Sequence, residues 1–298
     1  MRSIAFFAIN TKSNMKKFVL NYKNFEKTNK AQKRKFIKKI LDILEKKSGF
    51  AVVKNFNIDR SNLPTTEKNY KLFLLNLGSL LEQNIKKEKV SKVMDHGKSW
   101  SAKNRGYKTN DYIPFHTDGG TFASLLCVQN SSVGGETIIT KAKEIYKTLK
   151  KDYPKTLKIL EKGFHYHTRG ETKGVKNNIS KKKYPVFFFK KNKLHCMFNK
   201  KPIIWALKEQ EKQKKLNHIN DHLKALNNFE KLSNRKKNIY KFKLKSGEIL
   251  LYNNYKVLHG REKFKDKSSS KRILLRSWIK AKNSNYVGLN LLDAYRNK

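Results

Sequence analysis

The sequence is poor in cysteine, proline and acidic residues, and each shortage narrows the class of protein. Its 298 residues include only two cysteines, Cys127 and Cys196, each within an apolar or strand-like stretch. Two such residues indicate neither a disulfide framework nor a zinc site, so we expect buried thiols. No stretch rich in proline, glycine or serine divides the chain, and no repeat is present. We therefore expect a single domain over residues 27–298, preceded by a segment, 1–26, to which the pattern assigns no fold.

Long hydrophobic runs are also missing. The apolar run from Ile4 to Ile9 is shorter than the ~7–15 residues of a signal-peptide core. No stretch approaches the ~18 apolar residues that a membrane span needs. We therefore expect a cytoplasmic protein without a membrane span.

The charge of the chain is strongly unbalanced, because 69 Lys and Arg against 23 Asp and Glu give a formal net charge of +46. Such an excess is typical of proteins that bind nucleic acid, anionic membranes or acidic substrates. Here lysine is spread through nearly every segment, without interleaved arginine and aromatic residues and without a zinc-finger spacing. We interpret the charge as solvated lysine faces that bind phosphate non-specifically at low salt, and we expect no specific nucleic-acid partner.

Two histidines and one carboxylate form the most informative pattern in the chain. In the run His116-Thr117-Asp118, alternate side chains of an extended segment point the same way, so His116 and Asp118 project together. His259 lies 143 positions after His116, a separation that antiparallel strands can close. Two imidazoles and a carboxylate hold a ferrous ion on one face and leave the other face open for chemistry. The pattern therefore predicts a catalytic iron site.

The hydrophobic periodicity predicts a sheet-rich fold with flanking helices. A lysine-rich helix capped by Thr28 ends at Ser48-Gly49, and a second helix opens at Thr65. From residue 112 onward, short strands alternate with turns, interrupted by helices over Lys141–Leu160 and Leu207–Leu232. The expected strands are Phe50–Phe56, Tyr112–Phe115, Ala123–Gln129, Glu136–Thr140, Gly163–His167, Tyr184–Phe189, Lys193–Phe198, Tyr240–Leu244, Glu248–Tyr252, Lys256–His259 and Arg272–Lys280. Many strands with distant pairing suggest a jelly roll.

Several ordered motifs, over roughly residues 49 to 280, carry a family resemblance. They are Arg105 to Gly120, Leu125 to Gln129, Gly134 to Thr137, Gly247 to Asn254, His259 to Arg261 and Lys271 to Trp278. Together they resemble the taurine dioxygenase-like (TauD/TfdA) family of non-haem iron, 2-oxoglutarate-dependent oxygenases. The resemblance implies a double-stranded β-helix (jelly roll) core with helices packed outside. It also implies Fe(II), 2-oxoglutarate as co-substrate and O₂, with a small polar or anionic molecule hydroxylated as succinate and CO₂ are released.

The same resemblance implies roles for individual residues. His116, Asp118 and His259 would be the iron ligands and the catalytic centre. Arg272 and Thr137 match the residues that bind the distal carboxylate of 2-oxoglutarate, since a buried carboxylate needs a bidentate cation or several donors. Arg276 shares the strand face of Arg272; it is predicted to bind substrate, and it is also the alternative residue for the carboxylate of 2-oxoglutarate. We also assign Asn104 and Arg105, which precede the first motif, to substrate binding.

Other histidine pairs and other functions remain as alternatives. His165-x-His167 and His218-x-x-x-His222 have metal-like spacing, but neither is accompanied by cysteine or by the glutamate of a protease motif. A catalytically inactive jelly-roll binding protein is one alternative function, against which the intact triad argues. A nucleic-acid-associated protein is the other, against which the diffuse lysine argues.

Overall fold

Short strands from distant parts of the chain meet in two main sheets, with helices packed outside. The computed structural model describes residues 19–22, 25–79, 90–101, 104–169, 178–215 and 219–279. Within these ranges the strands are β1 (Val19–Asn21), β2 (Phe50–Lys54), β3 (Ser91–Val93), β4 (Ile113–His116), β5 (Phe122–Gln129), β6 (Val133–Gly134), β7 (Thr137–Lys141), β8 (Phe187–Lys190), β9 (Lys193–Cys196), β10 (Ile239–Phe242), β11 (Ile249–Asn253), β12 (Val257–Arg261), β13 (Phe264–Lys265) and β14 (Ile273–Ile279). The helices are α1 (Lys30–Lys46), α2 (Leu63–Ser79), α3 (Ala142–Asp152), α4 (Pro154–Lys162), α5 (Lys200–Lys212) and α6 (Ile219–Ser233).

The two main sheets have the strand orders β1-β2-β11-β5-β14-β3 and β10-β7-β12-β4. Pairing within them is antiparallel, except that β1 runs parallel to β2. Strand β1 uses residues 19–21, so the first sheet begins within the segment to which the sequence assigned no fold. Two minor ribbons, β13-β6 and β8-β9, complete the strands. The sheet-rich architecture with outer helices agrees with the predicted fold class.

Alternation along the central strands directs side chains to two different cores. On β14, Leu275 and Ile279 pack with α1 and α2 on the outer face of the larger sheet. Leu274 and Trp278 instead join the inner cluster that includes residues of both main sheets. Because side chains alternate with period 2, Arg276 shares the inner face with Leu274 and Trp278. The strand thereby delivers an arginine to the space between the sheets.

The described helices differ from the prediction in their ends and interruptions. The N-cap of α1 is Asn29, which forms a capping box with Gln32, whereas Thr28 donates its hydroxyl hydrogen bond to Phe25 O. The helix expected around Pro154 is divided at Tyr153 into α3 and α4. The helix expected over Leu207–Leu232 is also two helices, and α5 starts earlier, at Lys200. Lys214, with φ of 54°, adopts the left-handed conformation where α5 has ended.

Three further expectations concern a strand at residues 163–167, the two cysteines and the absence of a membrane span. Residues 163–167 make isolated bridges rather than a strand, because Phe164 pairs with Tyr184 and His167 with Ile179. Cys127 and Cys196 are free, buried thiols, as predicted. Among the described helices, none combines the length and apolar character that crossing a membrane requires.

Candidate metal centre and active site

Strand pairing brings the two distant histidines together. His116, the last residue of β4, lies directly opposite His259 on β12. Gly260 follows His259 where β12 approaches β4 so closely that a Cβ added there would lie 2.5 Å from Ile113 O. Glycine at this position therefore permits the close strand pairing that joins the two histidines.

Asp118 completes a cluster of three metal-binding side chains. One potential ligand atom from each of His116, Asp118 and His259 lies within 4.8 Å of the others. His116 Nε2 is 3.9 Å from Asp118 Oδ1, and His259 Nε2 is 3.5 Å from Asp118 Oδ2. Thr117, between His116 and Asp118, is anchored differently, since its N–H donates to Phe198 O at 2.8 Å. This cluster is the single group of at least three such residues that the described part of the chain contains.

The protonation states of this cluster suit a cation. Burial alone would raise the pKa of Asp118, but Arg276, the two histidines and the Tyr252 hydrogen bond together lower it below its ordinary value. Burial lowers the pKa of His259 to about 3 and also lowers the pKa of His116. At neutral pH the cluster therefore presents one carboxylate and two neutral imidazoles, which is the state that binds a metal ion.

Neighbouring groups fix the orientation of these side chains. The Tyr252 hydroxyl donates to Asp118 Oδ2 at 2.8 Å and lies 3.1 Å from His259 Nε2. Asn254 accepts from the Asp118 N–H at 3.0 Å and donates to Gly120 O at 2.8 Å. The Asn254 contacts shape the turn after Asp118, in keeping with the place of this residue in the motif. Tyr252 had no predicted role, because a tyrosine on an apolar strand is indistinguishable by sequence from a core residue.

A buried arginine lies in the same cavity as the cluster. Arg272 and Thr137 both line this cavity and are 3% and 5% exposed, so neither reaches bulk solvent freely. Within the described residues, Arg272 Nε and Nη1 have no hydrogen-bond partner, and the guanidinium lies over the Phe264 ring at 5.1 Å. Burial lowers the pKa of Arg272 to about 10, which leaves the group charged at neutral pH. Burying N–H donors of a cation without hydrogen-bond acceptors is costly, and a bound anion would remove that cost.

Of the three residues predicted to bind substrate, Arg276 and Arg105 line the cavity and Asn104 does not. Arg276 lines the cavity, and its Nη1 is 3.7 Å from Asp118 Oδ1. Arg105, Trp100 and Tyr107 also line it. Asn104 is not among the described lining residues. Its N–H donates to Ser101 Oγ and its carbonyl accepts from the Ser101 N–H, so it closes the turn before Arg105.

The alternative histidines are engaged in local contacts. His165 Nδ1 lies 2.6 Å from Ser180 O, and His167 Nδ1 accepts the Arg169 N–H at 3.1 Å. The His222 ring meets Phe164 edge-on at 5.8 Å. His218, the other member of the helical pair, lies outside the described residues.

A jelly roll that carries two histidines and one carboxylate in an open cavity is the arrangement of non-haem iron oxygenases. Comparison with known proteins agrees, because residues 16–278 match the model of the family described as "Taurine catabolism dioxygenase TauD, TfdA family". The chain belongs to this family.

Two individual relatives align with this chain at less than 30% sequence identity. FR-33289 synthase of Streptomyces rubellomurinus is 26% identical over 260 residues, which cover 84% of this chain and 74% of that protein. The taurine hydroxylase-like protein SAT17 of Stachybotrys chartarum is 28% identical over 154 residues, covering 51% of this chain and 38% of that protein. This second match therefore concerns only part of a longer relative.

Solved structures share the fold at low sequence identity. Asparagine oxygenase in complex with Fe(II), 2S,3S-3-hydroxyasparagine and succinate is 13% identical, with a TM-score of 0.59 over 83% of this chain and 79% of that chain. The non-haem iron oxygenase OrfP in complex with Fe and alpha-ketoglutaric acid is 12% identical, with a TM-score of 0.60 over 86% and 82%. These likenesses confirm the predicted jelly-roll fold.

Proposed function

We propose that this protein is an Fe(II)- and 2-oxoglutarate-dependent dioxygenase that hydroxylates a small anionic substrate and releases succinate and CO₂. The observation that carries the proposal is the convergence of His116, Asp118 and His259 in the same cavity as Arg272, whose buried Nε and Nη1 atoms have no hydrogen-bond partner within the described residues. Membership of the dioxygenase family and the oxygenase structures that contain iron and 2-oxoglutarate support it. A small-molecule substrate and a single domain over residues 27–298, to whose larger sheet β1 of the preceding segment adds a strand, are parts of the same proposal.

His116, Asp118 and His259 would hold the iron. Their ionisation fits a divalent cation, and three protein ligands leave coordination positions for a bidentate 2-oxo acid and for dioxygen. When bound, iron with 2-oxoglutarate supplies the activation of dioxygen, which the side chains of the protein cannot supply. The hydroxyl of Tyr252 keeps Asp118 in place through its hydrogen bond, so the carboxylate is oriented before metal binds.

Arg272 and Thr137 would bind the distal carboxylate of 2-oxoglutarate. A guanidinium donates two parallel hydrogen bonds to a carboxylate, and the unpartnered Nε and Nη1 atoms of Arg272 offer donors for such a pair. Thr137 adds a hydroxyl donor on the wall of the same cavity. The co-substrate would then lie with its distal end at Arg272 and its 2-oxo acid end toward the metal ligands.

Arg276 would bind an anionic group of the substrate, with Arg105 contributing to the same cavity wall. The position of Arg276 beside Asp118 supports this assignment, since a substrate held there lies near the metal ligands. Asn104, predicted from sequence as a third substrate residue, would act indirectly by holding the turn that precedes Arg105. The aromatic walls, Trp100 and Tyr107, would exclude water from the reacting centre.

The test is anaerobic titration with Fe(II) and then 2-oxoglutarate, followed by exposure to air and measurement of succinate. We expect binding of both and slow succinate formation without substrate. Replacement of His116, Asp118 or His259 by alanine should abolish metal-dependent turnover, whereas His165→Ala and His222→Ala should retain it. Equal loss of turnover in the His222→Ala variant, or no 2-oxoglutarate binding by the metal-loaded protein, would contradict the proposal.

A further inference from the structure

The cavity contains a concentration of arginine that the rest of the chain does not share. Only ten of the 69 basic residues of the sequence are arginine, and the others are lysine. Yet each of the basic side chains that line the cavity in the described residues is arginine, namely Arg105, Arg169, Arg261, Arg272 and Arg276. Lysine would supply the same charge, so charge alone does not explain the choice. Arginine differs in its planar fork of donors, which binds carboxylate and phosphate groups through paired hydrogen bonds.

Two of these arginines already have a role. Arg261 donates through Nη2 to Thr109 O and Asp111 O, which ties β12 to the loop before β4. Arg272 is assigned to the distal carboxylate of 2-oxoglutarate. The other three arginines that line the cavity, Arg105, Arg169 and Arg276, are not assigned to iron or to 2-oxoglutarate.

Arg276 is positioned by aromatic rings. Its guanidinium carbon lies 4.5 Å from the centre of the Tyr107 ring and 4.5 Å from that of the Trp278 ring. Such contacts orient a guanidinium by its faces and leave its edge, which carries the N–H donors, directed elsewhere. The Nη1 atom, 3.7 Å from Asp118 Oδ1, places that edge on the metal side of the cavity.

Arg169 brings a second charge to the cavity from another part of the chain. Its guanidinium lies 5.5 Å from the Trp205 ring of α5, and its backbone has a φ of 59°. The positive charge of Arg169 also acts on Lys201. The Lys201 ammonium lies 3.8 Å from the centre of the ring of Trp100, which lines the cavity. Burial lowers the pKa of Lys201, and Arg169 lowers it further while Asp111 opposes the shift. The basic region thus extends from Arg276 to the wall formed by Trp100.

Negative charge is scarce in the same cavity. Asp118 is the sole carboxylate among the described lining residues, and it is assigned to iron. The charges of Fe(II) and of 2-oxoglutarate cancel, so the lining carries five guanidinium groups against one carboxylate, and Asp95, Asp111 and Asp266 outside the lining offset part of the charge of Arg261 and Arg272. A low-dielectric cleft lined by charges of one sign concentrates ligands of the opposite charge and discriminates among them by the size of that charge.

We infer that the substrate carries two negative charges at neutral pH, recognised by Arg169 and Arg276 with Arg105, in addition to the two charges of 2-oxoglutarate. This inference rests on the proposed function. A phosphoryl-type dianion and a pair of neighbouring carboxylates share this chemistry. The lining also includes the apolar residues Val93, Leu125 and Leu274, which would contact a short carbon segment of the substrate.

Binding calorimetry on the Zn(II)- and 2-oxoglutarate-saturated protein tests the inference without turnover. Ethyl phosphate and ethyl sulfate are matched probes, because both are tetrahedral esters and the phosphate, with a second pKa of about 6, carries roughly one more charge at pH 7.5. Malonate serves as the dicarboxylate probe. We expect ethyl phosphate or malonate to bind at least about tenfold more tightly than ethyl sulfate, which corresponds to ~1.4 kcal/mol. The tighter of the two identifies the source of the dianion.

Conservative variants separate guanidinium recognition from charge. Arg169→Lys and Arg276→Lys should each weaken dianion binding at least about tenfold and weaken 2-oxoglutarate binding much less, because an ammonium cannot reproduce the paired hydrogen bonds of a guanidinium. Arg60→Lys is the matched control, because Arg60 is exposed and bonds Ser246 outside the cavity. Equal affinity for ethyl phosphate, malonate and ethyl sulfate, or unchanged dianion affinity in both cavity variants, would overturn the inference. If 2-oxoglutarate itself does not bind the Zn(II)-loaded protein, the proposed function fails instead.

Discussion

At the residue scale, the side chains of the metal centre depend on neighbours that never need to touch the metal. Asp118 accepts the hydroxyl hydrogen bond of Tyr252 and lies 3.7 Å from Arg276 Nη1, and its backbone N–H donates to Asn254. Burial would otherwise favour the protonated carboxyl, which binds metal poorly. The environment therefore holds Asp118 in the ionised state before any cation arrives.

Arg276 within β14 and Arg272, which immediately precedes that strand, are expected to have different functions. Arg272→Lys should raise the 2-oxoglutarate concentration needed for half-maximal succinate formation by about 10–100-fold, because an ammonium cannot reproduce the paired hydrogen bonds. Arg276→Lys should weaken the substrate more than 2-oxoglutarate. Succinate formation without substrate, at limiting 2-oxoglutarate, distinguishes them. If only Arg276→Lys impairs this reaction, the two assignments must be exchanged.

Tyr252→Phe should weaken metal binding without removing a ligand. Loss of the hydroxyl leaves Asp118 Oδ2 without its 2.8 Å donor, and changes to groups that orient ligands commonly reduce metal affinity about 10–100-fold. Zn(II) or anaerobic Fe(II) titration measures the effect. Tyr70→Phe is the matched control, since Tyr70 is also fully buried and donates to Ser124 Oγ at 2.6 Å. Both variants should lose stability, and identical metal affinities for the two would refute a role of Tyr252 at the centre.

At the element scale, the pairing of β4 with β12 creates the site, because it places His116 opposite His259. The sequence predicted this meeting from spacing and motif, since an antiparallel pair brings distant residues together. It predicted from period 2 that Arg276 shares the strand face of Arg272. Tyr252 was missed because its partners come from other strands. The end of α5 was missed because Lys214 adopts a left-handed backbone conformation that its residue type does not indicate.

Gly260→Ala should disturb this strand pair. The added Cβ would lie 2.5 Å from Ile113 O, so β4 must move away from β12 or the backbone must shift. We expect a loss of about 1–3 kcal/mol in the free energy of unfolding, as for overpacked cores, together with weaker metal binding. Gly97→Ala is the control, because no atom lies within 4 Å of its added Cβ and the cost is only that of its φ of 68°. Denaturant unfolding and Zn(II) titration of both variants measure the two effects, and unchanged metal affinity in Gly260→Ala would show that the pair tolerates the shift.

At the scale of the whole molecule, the formal charge of +46 acts mainly outside the cavity. Most lysines in the described residues are exposed or half-buried, and ion pairs such as Lys71 with Glu67 and Lys241 with Glu262 neutralise only some of them. The exposed lysines repel one another, and at 0.1 M salt the repulsion between charges more than about 10 Å apart is largely screened. The lysine surface is therefore expected to bind polyanions by charge, whereas the arginines of the cavity select a ligand by geometry.

Nucleic-acid binding should therefore be weakly selective and strongly dependent on salt. Two duplexes of equal length and different sequence should bind with equal affinity, and both affinities should fall by roughly tenfold or more between about 50 and 200 mM salt, because binding releases counterions. Fluorescence anisotropy at several salt concentrations gives the slope. Succinate formation at the higher salt concentration, measured with and without duplex, is the accompanying control and should not change. A duplex that binds selectively at the higher salt and increases succinate formation would instead identify nucleic acid as the substrate, because a surface of screened lysines offers no means of choosing between sequences.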